Sequence, residues 1–479
     1  MKNRRRDFLK VAGLTSIGML GANSSMGDSF TSDKGGGEKY VKQIKKLEQS
    51  HVQHFNMSGY AAPKIETVRI GVIGLGQRGP AHVKTMSRIE GVEIKALCDL
   101  RPEKAIAAKK LLENTDDNPE LYSGSEDEWK KLCQRKDLDL IIITTPWYMH
   151  AEMAVYAMEQ GKHVASEVPA AGTVEEAWKL VETAERMRKH CMMLENYSYF
   201  TFQLLMLSMA RQGFFGEIVH GDCAYNTSKM GNNFNKNLYW NMWWLRQYGS
   251  RKGNIYPTHG LGPVAQMMDI NRGDKFEFLV SVESRDFMMR AKAKELAATD
   301  GFFEEFTDMD YRGNMNTTII KTTRGRTIVL QHDATSPSPH NMIHGIYGTK
   351  GSALYDPQPP RISTGNHKWA SAEEFEKIKA RYTPEIFHKM NELSKNSGHG
   401  GSDLKIGWRL IDCLHNGLPL DQDVYDAASW SSILPLTDWS VRNNSNSIKV
   451  PDFTAGAWKT NKRNMDIDLK RGGNTKVKS

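Results

Sequence analysis

Residues 68–79 read VRIGVIGLGQRG, and the fold follows from them. Val68 to Ile73 is a β-branched, apolar run of strand character. It leads without a break into Gly74-Leu75-Gly76-Gln77-Arg78-Gly79, a G-x-G-x-x-G, and then into a helix-forming run over 81–89. A second apolar run, residues 92–98, ends at Asp99. Strand, glycine turn, helix, strand and acid together make a dinucleotide fingerprint. Gly74 makes the tight turn, Gly76 lets the backbone approach a pyrophosphate, and Gly79 lets the helix pack closely on the sheet. The helix start turns free N–H groups and a positive dipole end toward phosphate. Asp99 stands where a carboxylate takes the ribose hydroxyls of NAD, and Arg101 beside it keeps NADP in play.

Outward from this unit the alternation continues. A helix pattern at 103–114 precedes the apolar strand 137–145, which ends in Pro146-Trp147-Tyr148-Met149-His150. A helix over 151–160 closes at Gly161, a short strand over 162–166 ends in Glu167-Val168-Pro169, and a further strand over 192–195 runs into Asn196-Tyr197. Strand alternating with helix predicts a doubly wound parallel sheet, in which ligands gather at the carboxyl ends of the strands. Those ends are Gly74, Asp99, residues 146–150, Glu167, Asn196 and Tyr197. From about residue 200 the pattern changes to strands at 276–283, 317–322, 327–332 and 343–347, with a hairpin turn at 323–326 and helices at 372–381 and 404–416. The predicted class is α/β: an N-terminal Rossmann domain over 65–199, then an α+β domain over 200–458 with a mostly antiparallel open sheet. A chain of 479 residues is too long for one ordinary core.

Charge argues against nucleic acid. The net charge is +8, but residues 1–10 carry +4 and residues 459–479 carry +5, which leaves the body at −1. A basic head and tail on a near-neutral body do not form a binding face, and the tail reads as a solvated terminus. The five cysteines, Cys98, Cys133, Cys191, Cys223 and Cys413, are scattered without metal spacing, so no metal site and no disulfide framework is expected. Residues 1–27 read as an export signal: Arg5-Arg6-Asp7-Phe8-Leu9-Lys10 is similar to the twin-arginine core, and a modest apolar stretch follows at 11–22. No cysteine follows that stretch, which argues against a lipid anchor. The expected partner is then the twin-arginine export machinery, and the expected location is the periplasm. That route carries folded proteins, so the dinucleotide would be loaded in the cytoplasm. Residues 28–64 read as a linker with an amphipathic helix near 40–51.

The glycine fingerprint, Asp99, the Pro146…His150 segment and Glu167-x-Pro169 together resemble the glucose–fructose oxidoreductase/inositol dehydrogenase family. That family carries Glu-Lys-Pro at the third motif, and its lysine assists proton transfer; here Val168 replaces it. A narrower resemblance fits better. Residues 192–197 (MMLENY), 256–263 (YPTHGLGP), 398–401 (GHGG) and 417–428 (GLPLDQDVYDAA), with EVPAA at 167–171, are similar to glycoside hydrolase family 109 over nearly the whole mature chain. The resemblance implies an NAD-dependent α-N-acetylgalactosaminidase, an exception to the two-carboxylate rule for glycosidases. Hydride leaves sugar carbon 3, the ketone acidifies carbon 2, a base takes that proton, the aglycone leaves carbon 1, water adds and hydride returns. NAD is regenerated each turn, so it stays tightly bound.

The resemblance implies roles for single residues. His259 is expected as acid/base at the reacting hydroxyl, with Tyr256 sharing the site, Tyr197 as a base at carbon 2, and Glu167 orienting sugar or nicotinamide ribose. Gln77, Arg78, Trp147, Tyr148, Met149, His150, Val168 and Asn196 join the glycines, Asp99, Glu167 and Tyr256 as expected NAD contacts. His150 reads equally as a satisfied histidine at a helix start. Tyr225, Trp244, Arg246, Tyr256, Pro257, Thr258, His259 and His340 are the expected substrate contacts, and His399 is a further candidate. Trp244 stands where the family carries arginine, and His340 stands near the family's tyrosine. Self-association through the second domain's sheet is also implied. Two other readings stay open: an exported sugar oxidoreductase holding NAD(P), and a sugar-binding protein that keeps NAD for structure.

Overall fold

In the computed structural model residues 34–365, 367–394 and 401–478 are described. The export signal expected at 1–27 and the candidate His399 lie outside the described residues.

The first domain is a six-stranded parallel sheet in the order β3-β2-β1-β4-β5-β6. Its strands are β1 (Val68–Ile73), β2 (Val92–Cys98), β3 (Glu120–Tyr122), β4 (Leu140–Ile143), β5 (His163–Ser166) and β6 (Cys191–Met193). β4 and β5 are buried along their whole length, as strands covered on both faces must be. The order reverses between β1 and β4, which opens the crevice where a doubly wound sheet takes its ligand.

The second domain holds an eight-stranded sheet in the order β13-β12-β11-β7-β10-β9-β8-β14. Its strands are β7 (Ile218–Asn226), β8 (Phe276–Glu283), β9 (Met315–Thr322), β10 (Thr327–Asp333), β11 (His344–Gly348), β12 (Ser352–Leu354), β13 (Arg361–Ser363) and β14 (Ile448–Lys449). Only β7 and β10 pair in parallel. β9 buries alternate residues, so one face is core and the other is open. β7 was not predicted: glycine, aspartate and histidine interrupt its apolar run, so it lacks a clean strand period.

Six helices matter for the site: α1 (Lys34–Ser50), α2 (Gly79–Met86), α3 (Val174–Met187), α4 (Thr258–Met267), α5 (Ser402–Asn416) and α6 (Val424–Arg442). α6 packs on α3, β6 and β8, and α5 packs on α2, so the late chain returns to the nucleotide domain and one apolar core runs through both sheets. The linker reading of 28–64 needs correction. The helix expected near 40–51 is there as α1, but the segment is docked: Trp439 donates its indole N–H to Gly37 O (3.1 Å), Met57 N–H bonds the Tyr425 hydroxyl (3.1 Å), and Ile44 is buried. The solvated tail is corrected too. Met465 and Ile467 are buried, Trp408 donates to Thr475 O (2.9 Å), and Asp412 accepts from the backbone N–H groups of Gly473 and Thr475. The apolar residues spaced among the tail's lysines dock it against the body.

Candidate active site

The glycine turn has the dimensions of a phosphate cradle. Gly74 has φ +92°, and a Cβ there would lie 2.7 Å from the backbone of Thr144 and Thr145. A Cβ on Gly79 would lie 2.1 Å from Gly74 O, so α2 meets β1 only through glycine. Gly76 differs: its nearest neighbour would be the Arg101 guanidinium at 3.8 Å. Internal packing does not require glycine there, whereas close approach of a ligand to the backbone does. Asp99 at the end of β2 accepts from Leu75 N–H (2.7 Å) and from Arg101 N–H (3.0 Å) and Nε–H (3.1 Å), which fixes its carboxylate beside the turn. Asn196 donates to Asp403 Oδ1 (2.8 Å), while its buried Oδ1 has no donor among the described residues. A bare cradle, a fixed acid and an orphan acceptor at three strand ends fit a dinucleotide.

Arg78 leaves the turn in the other direction. It donates from Nε to Glu167 Oε1 (2.7 Å) and, through its two terminal nitrogens, to both oxygens of Asp403 (3.0 and 2.9 Å). His82 Nε2 lies 2.7 Å from the same Glu167 oxygen. Burial alone would raise the Glu167 pKa, but the Arg78 charge and the His82 hydrogen bond outweigh it and hold the carboxyl well below the usual range. Glu167 is thus a fixed anion that orients Arg78, and it is not available as a proton-transfer group.

The centre of the site is His259, in the first turn of α4. Its Nδ1 lies 2.8 and 2.9 Å from the two oxygens of Glu195, which is fully buried at the end of β6. Glu195 also accepts from Tyr197 N–H (3.1 Å). A Cβ on Gly262 would lie 2.7 Å from Glu195 Cγ, so the glycine in YPTHGLGP lets α4 approach this carboxylate. His259 Nε2 has no hydrogen-bond partner among the described residues, and three phenols surround the ring. Centroid separations are 4.4 Å to Tyr197, 4.7 Å to Tyr256 and 5.3 Å to Tyr225. Tyr256 stacks on Trp147 (5.3 Å, 17°), and Trp244 packs its edge against both. This arrangement joins an oriented imidazole to phenolic donors beside the nucleotide domain's strand ends.

Several expected roles need correction. His150 is fully buried and both ring nitrogens lie 2.8 Å from backbone carbonyls, of Pro169 and Thr145, so the imidazole is spent on pinning the turn. Tyr197 is no ready base: burial, then the Glu195 charge, push its phenol well above 10. Arg246 commits its guanidinium to Glu305 (3.0 and 2.9 Å) and to the face of Phe306. Thr258 is fully buried at the start of α4, with no hydrogen-bond partner for its hydroxyl among the described residues, and Pro257 is buried beside it. Val168 buries its side chain in the core, which leaves only its backbone for a ligand. Met149 packs on that core as well, and Tyr148 is exposed. His340 stands at the rim, 5.9 Å from the Tyr225 ring. Glu195 and Asp403 were not foreseen. Glu195 had a signal, an acid closing an apolar strand as Asp99 does. Asp403 had none, because its partner Arg78 lies 325 residues away in sequence.

Comparison with known proteins completes the picture. The family described as glycosyl hydrolase 109, C-terminal domain, matches residues 199–460, and an oxidoreductase family with an NAD-binding Rossmann fold matches 68–195. A glycosyl hydrolase family 109 protein of Shewanella pealeana is 42% identical over 96% of this chain and 98% of its own length. The chain belongs to glycosyl hydrolase family 109. A second relative, the alpha-N-acetylgalactosaminidase of Shewanella oneidensis, is 40% identical over 95% of this chain and 96% of its own length. In fold the chain is similar to scyllo-inositol dehydrogenase from Lactobacillus casei with bound NAD(H) and scyllo-inositol. That match has a TM-score of 0.57 and 13% identity, and it covers 81% of this chain and all of that one.

Proposed function

We propose that this family 109 protein is an NAD-containing glycoside hydrolase that removes terminal α-N-acetylgalactosamine or a closely related hexosamine. The observation that carries the reading is the Glu195–His259 pair among three phenols, set against a dinucleotide cradle. When bound, NAD supplies acceptance and return of a hydride at a sugar carbon, so the cycle is redox-neutral. Gly76, Asp99 and Asn196 are the residues that would hold it. His259, steered by Glu195 through Nδ1, takes and returns the substrate's protons at Nε2. Tyr197, Tyr225 and Tyr256 remain protonated, because burial pushes each phenol upward, and they act as donors to sugar and leaving-group oxygens. Trp147 and Trp244 line the aromatic side and exclude water. Arg78, held by Glu167 and Asp403, ties the glycine turn to the second domain.

The twin-arginine-like residues 5–10 support export to the periplasm in folded form, with the nucleotide already bound. Val282 and Ile319 stand 54% and 50% exposed on the open face of the second sheet, which supports pairing of two copies there. Light scattering tests that pairing. The functional test is a proton NMR experiment in D2O with purified protein, no added NAD, and an aryl α-N-acetylgalactosaminide. Aglycone release with deuterium at carbon 2 is the expected result. Formation of a keto-sugar without release would make the protein an oxidoreductase instead.

A further inference from the structure

Between β7 and α4 the chain makes an excursion that is no part of either sheet. Residues 234–248 lie on a small hydrophobic core of their own, with Phe234, Met242, Leu245 and Tyr248 packed against Phe303 and Phe306 from the excursion after β8. Lys236 bonds Asp300 and Arg246 bonds Glu305, so the segment is fastened along its back. Its front touches the nucleotide domain's fingerprint at both ends. Gln77, inside the glycine turn, donates to Leu238 O (3.2 Å). Arg101, already bonded to Asp99, places its guanidinium 5.2 Å from the centre of the Trp240 ring. Directly after Trp240 the backbone bends through two left-handed residues, Asn241 (φ 50°) and Met242 (φ 52°), neither a glycine. Trp240 is nevertheless 49% exposed, so packing alone does not account for it.

We propose that residues 234–248 are a strap across the dinucleotide site, with Trp240 on Arg101 and Leu238 on Gln77 as its two latches. The proposal rests on the NAD-containing reading. A redox-neutral cycle does not need the nucleotide to leave, so a strap fastened to both ends of the fingerprint makes it a resident group. The strap's own core keeps it in place, and release requires both latches to part. Charge and ring face give the Trp240 latch its strength, and the loss of one exposed cation–π contact corresponds to about a three-fold change or somewhat more.

The test is nucleotide retention, measured on the full purified protein. NAD(H) per chain is quantified after acid release, and the NADH dissociation rate is followed by fluorescence after dilution. For Trp240→Ala the dissociation rate is expected to rise about two- to five-fold. Trp240→Phe, which keeps a ring face, should restore most of the retention. Lys236→Ala, which cuts the rear fastening, should shift the rate in the same direction. Equal dissociation rates in the wild type, Trp240→Ala and Lys236→Ala overturn the strap and leave the NAD reading standing. A wild-type protein that neither contains nor binds NAD overturns that reading, and the strap with it.

Discussion

Replacing Glu195 with glutamine tests the centre of the site. The change is nearly isosteric and keeps an oxygen for Tyr197 N–H, which now sits 3.1 Å from the carboxylate. It removes the negative charge from an acceptor 2.8 and 2.9 Å from His259 Nδ1. A hydrogen bond to a charged group is worth about 1.5–3 kcal/mol, and each 1.36 kcal/mol is tenfold in rate, so kcat should fall about 10- to 150-fold. KM should change little, because Glu195 is fully buried behind the histidine and does not face the sugar. Stability should hold or rise, since a fully buried carboxylate is costly to desolvate. The assay is steady-state release of an aryl aglycone, run beside NAD content and thermal melting. A kcat within threefold of wild type, at equal NAD content, would refute the assignment of Glu195 as the residue that positions His259.

Four further outcomes follow from the same geometry. Tyr197→Phe should lower kcat by at least tenfold without a basic limb below pH 9, as expected for a phenol that acts protonated; an alkaline rise in wild-type activity that vanishes in the variant would instead identify a phenolate base. Burial lowers the pKa values of His163 and His332 to about 3 and of His344 to about 4, so the unfolded chain binds protons that the native chain refuses. Stability should therefore fall as pH drops from 6.5 toward 4, by about 1.4 kcal/mol per pH unit per histidine, and a flat urea midpoint over that range would contradict it. Glu167 is the opposite type of group, an acid held low by Arg78 and His82, so its stabilisation is complete above its unfolded pKa and lost below it. The melting gap between wild type and Glu167→Gln should be widest at neutral pH and narrow below about pH 4.5. All five cysteines are buried and free, and burial raises Cys98, Cys133 and Cys191 to about 12, so Ellman's reagent should titrate none in the native protein and five after denaturation.

What the sequence discloses depends on how local the cause is. The run from β1 to Asp99 is legible because turn, helix start and acid lie within one βαβ unit and each has its own steric or electrostatic reason. The strand ends at Glu167 and Asn196 follow from the same alternation. His259 stands out within YPTHGLGP, yet its partner Glu195 comes from another domain. Only the rule that an acid closing a buried strand faces the crevice could have singled Glu195 out. His150 misleads for the converse reason: a histidine after a strand looks like a ligand, but two carbonyls already hold it. Arg246 misleads because the residues that neutralise it, Glu305 and Phe306, belong to a separate excursion. The tail misleads because charge composition hides the spacing of Met465 and Ile467.

These non-local pairs share a direction. Asp403 reaches Arg78, Gln422 donates to Glu195 O (3.2 Å), and Leu238 meets Gln77, each bringing a residue of the second domain to a strand end of the first. The nucleotide domain supplies a generic cradle, legible from a dozen residues. The later chain supplies what makes the cradle part of a hydrolase: a histidine aimed by a buried acid, a guanidinium clamped so that the glycine turn moves with the substrate domain, and a strap over the fingerprint. Arg78 joins the glycine turn to Asp403 of the second domain through two hydrogen bonds of 3.0 and 2.9 Å, and it is held from the other side by Glu167. This tie between the nucleotide turn and the substrate domain agrees with the proposed hydrolase, in which the nucleotide need not leave between turnovers.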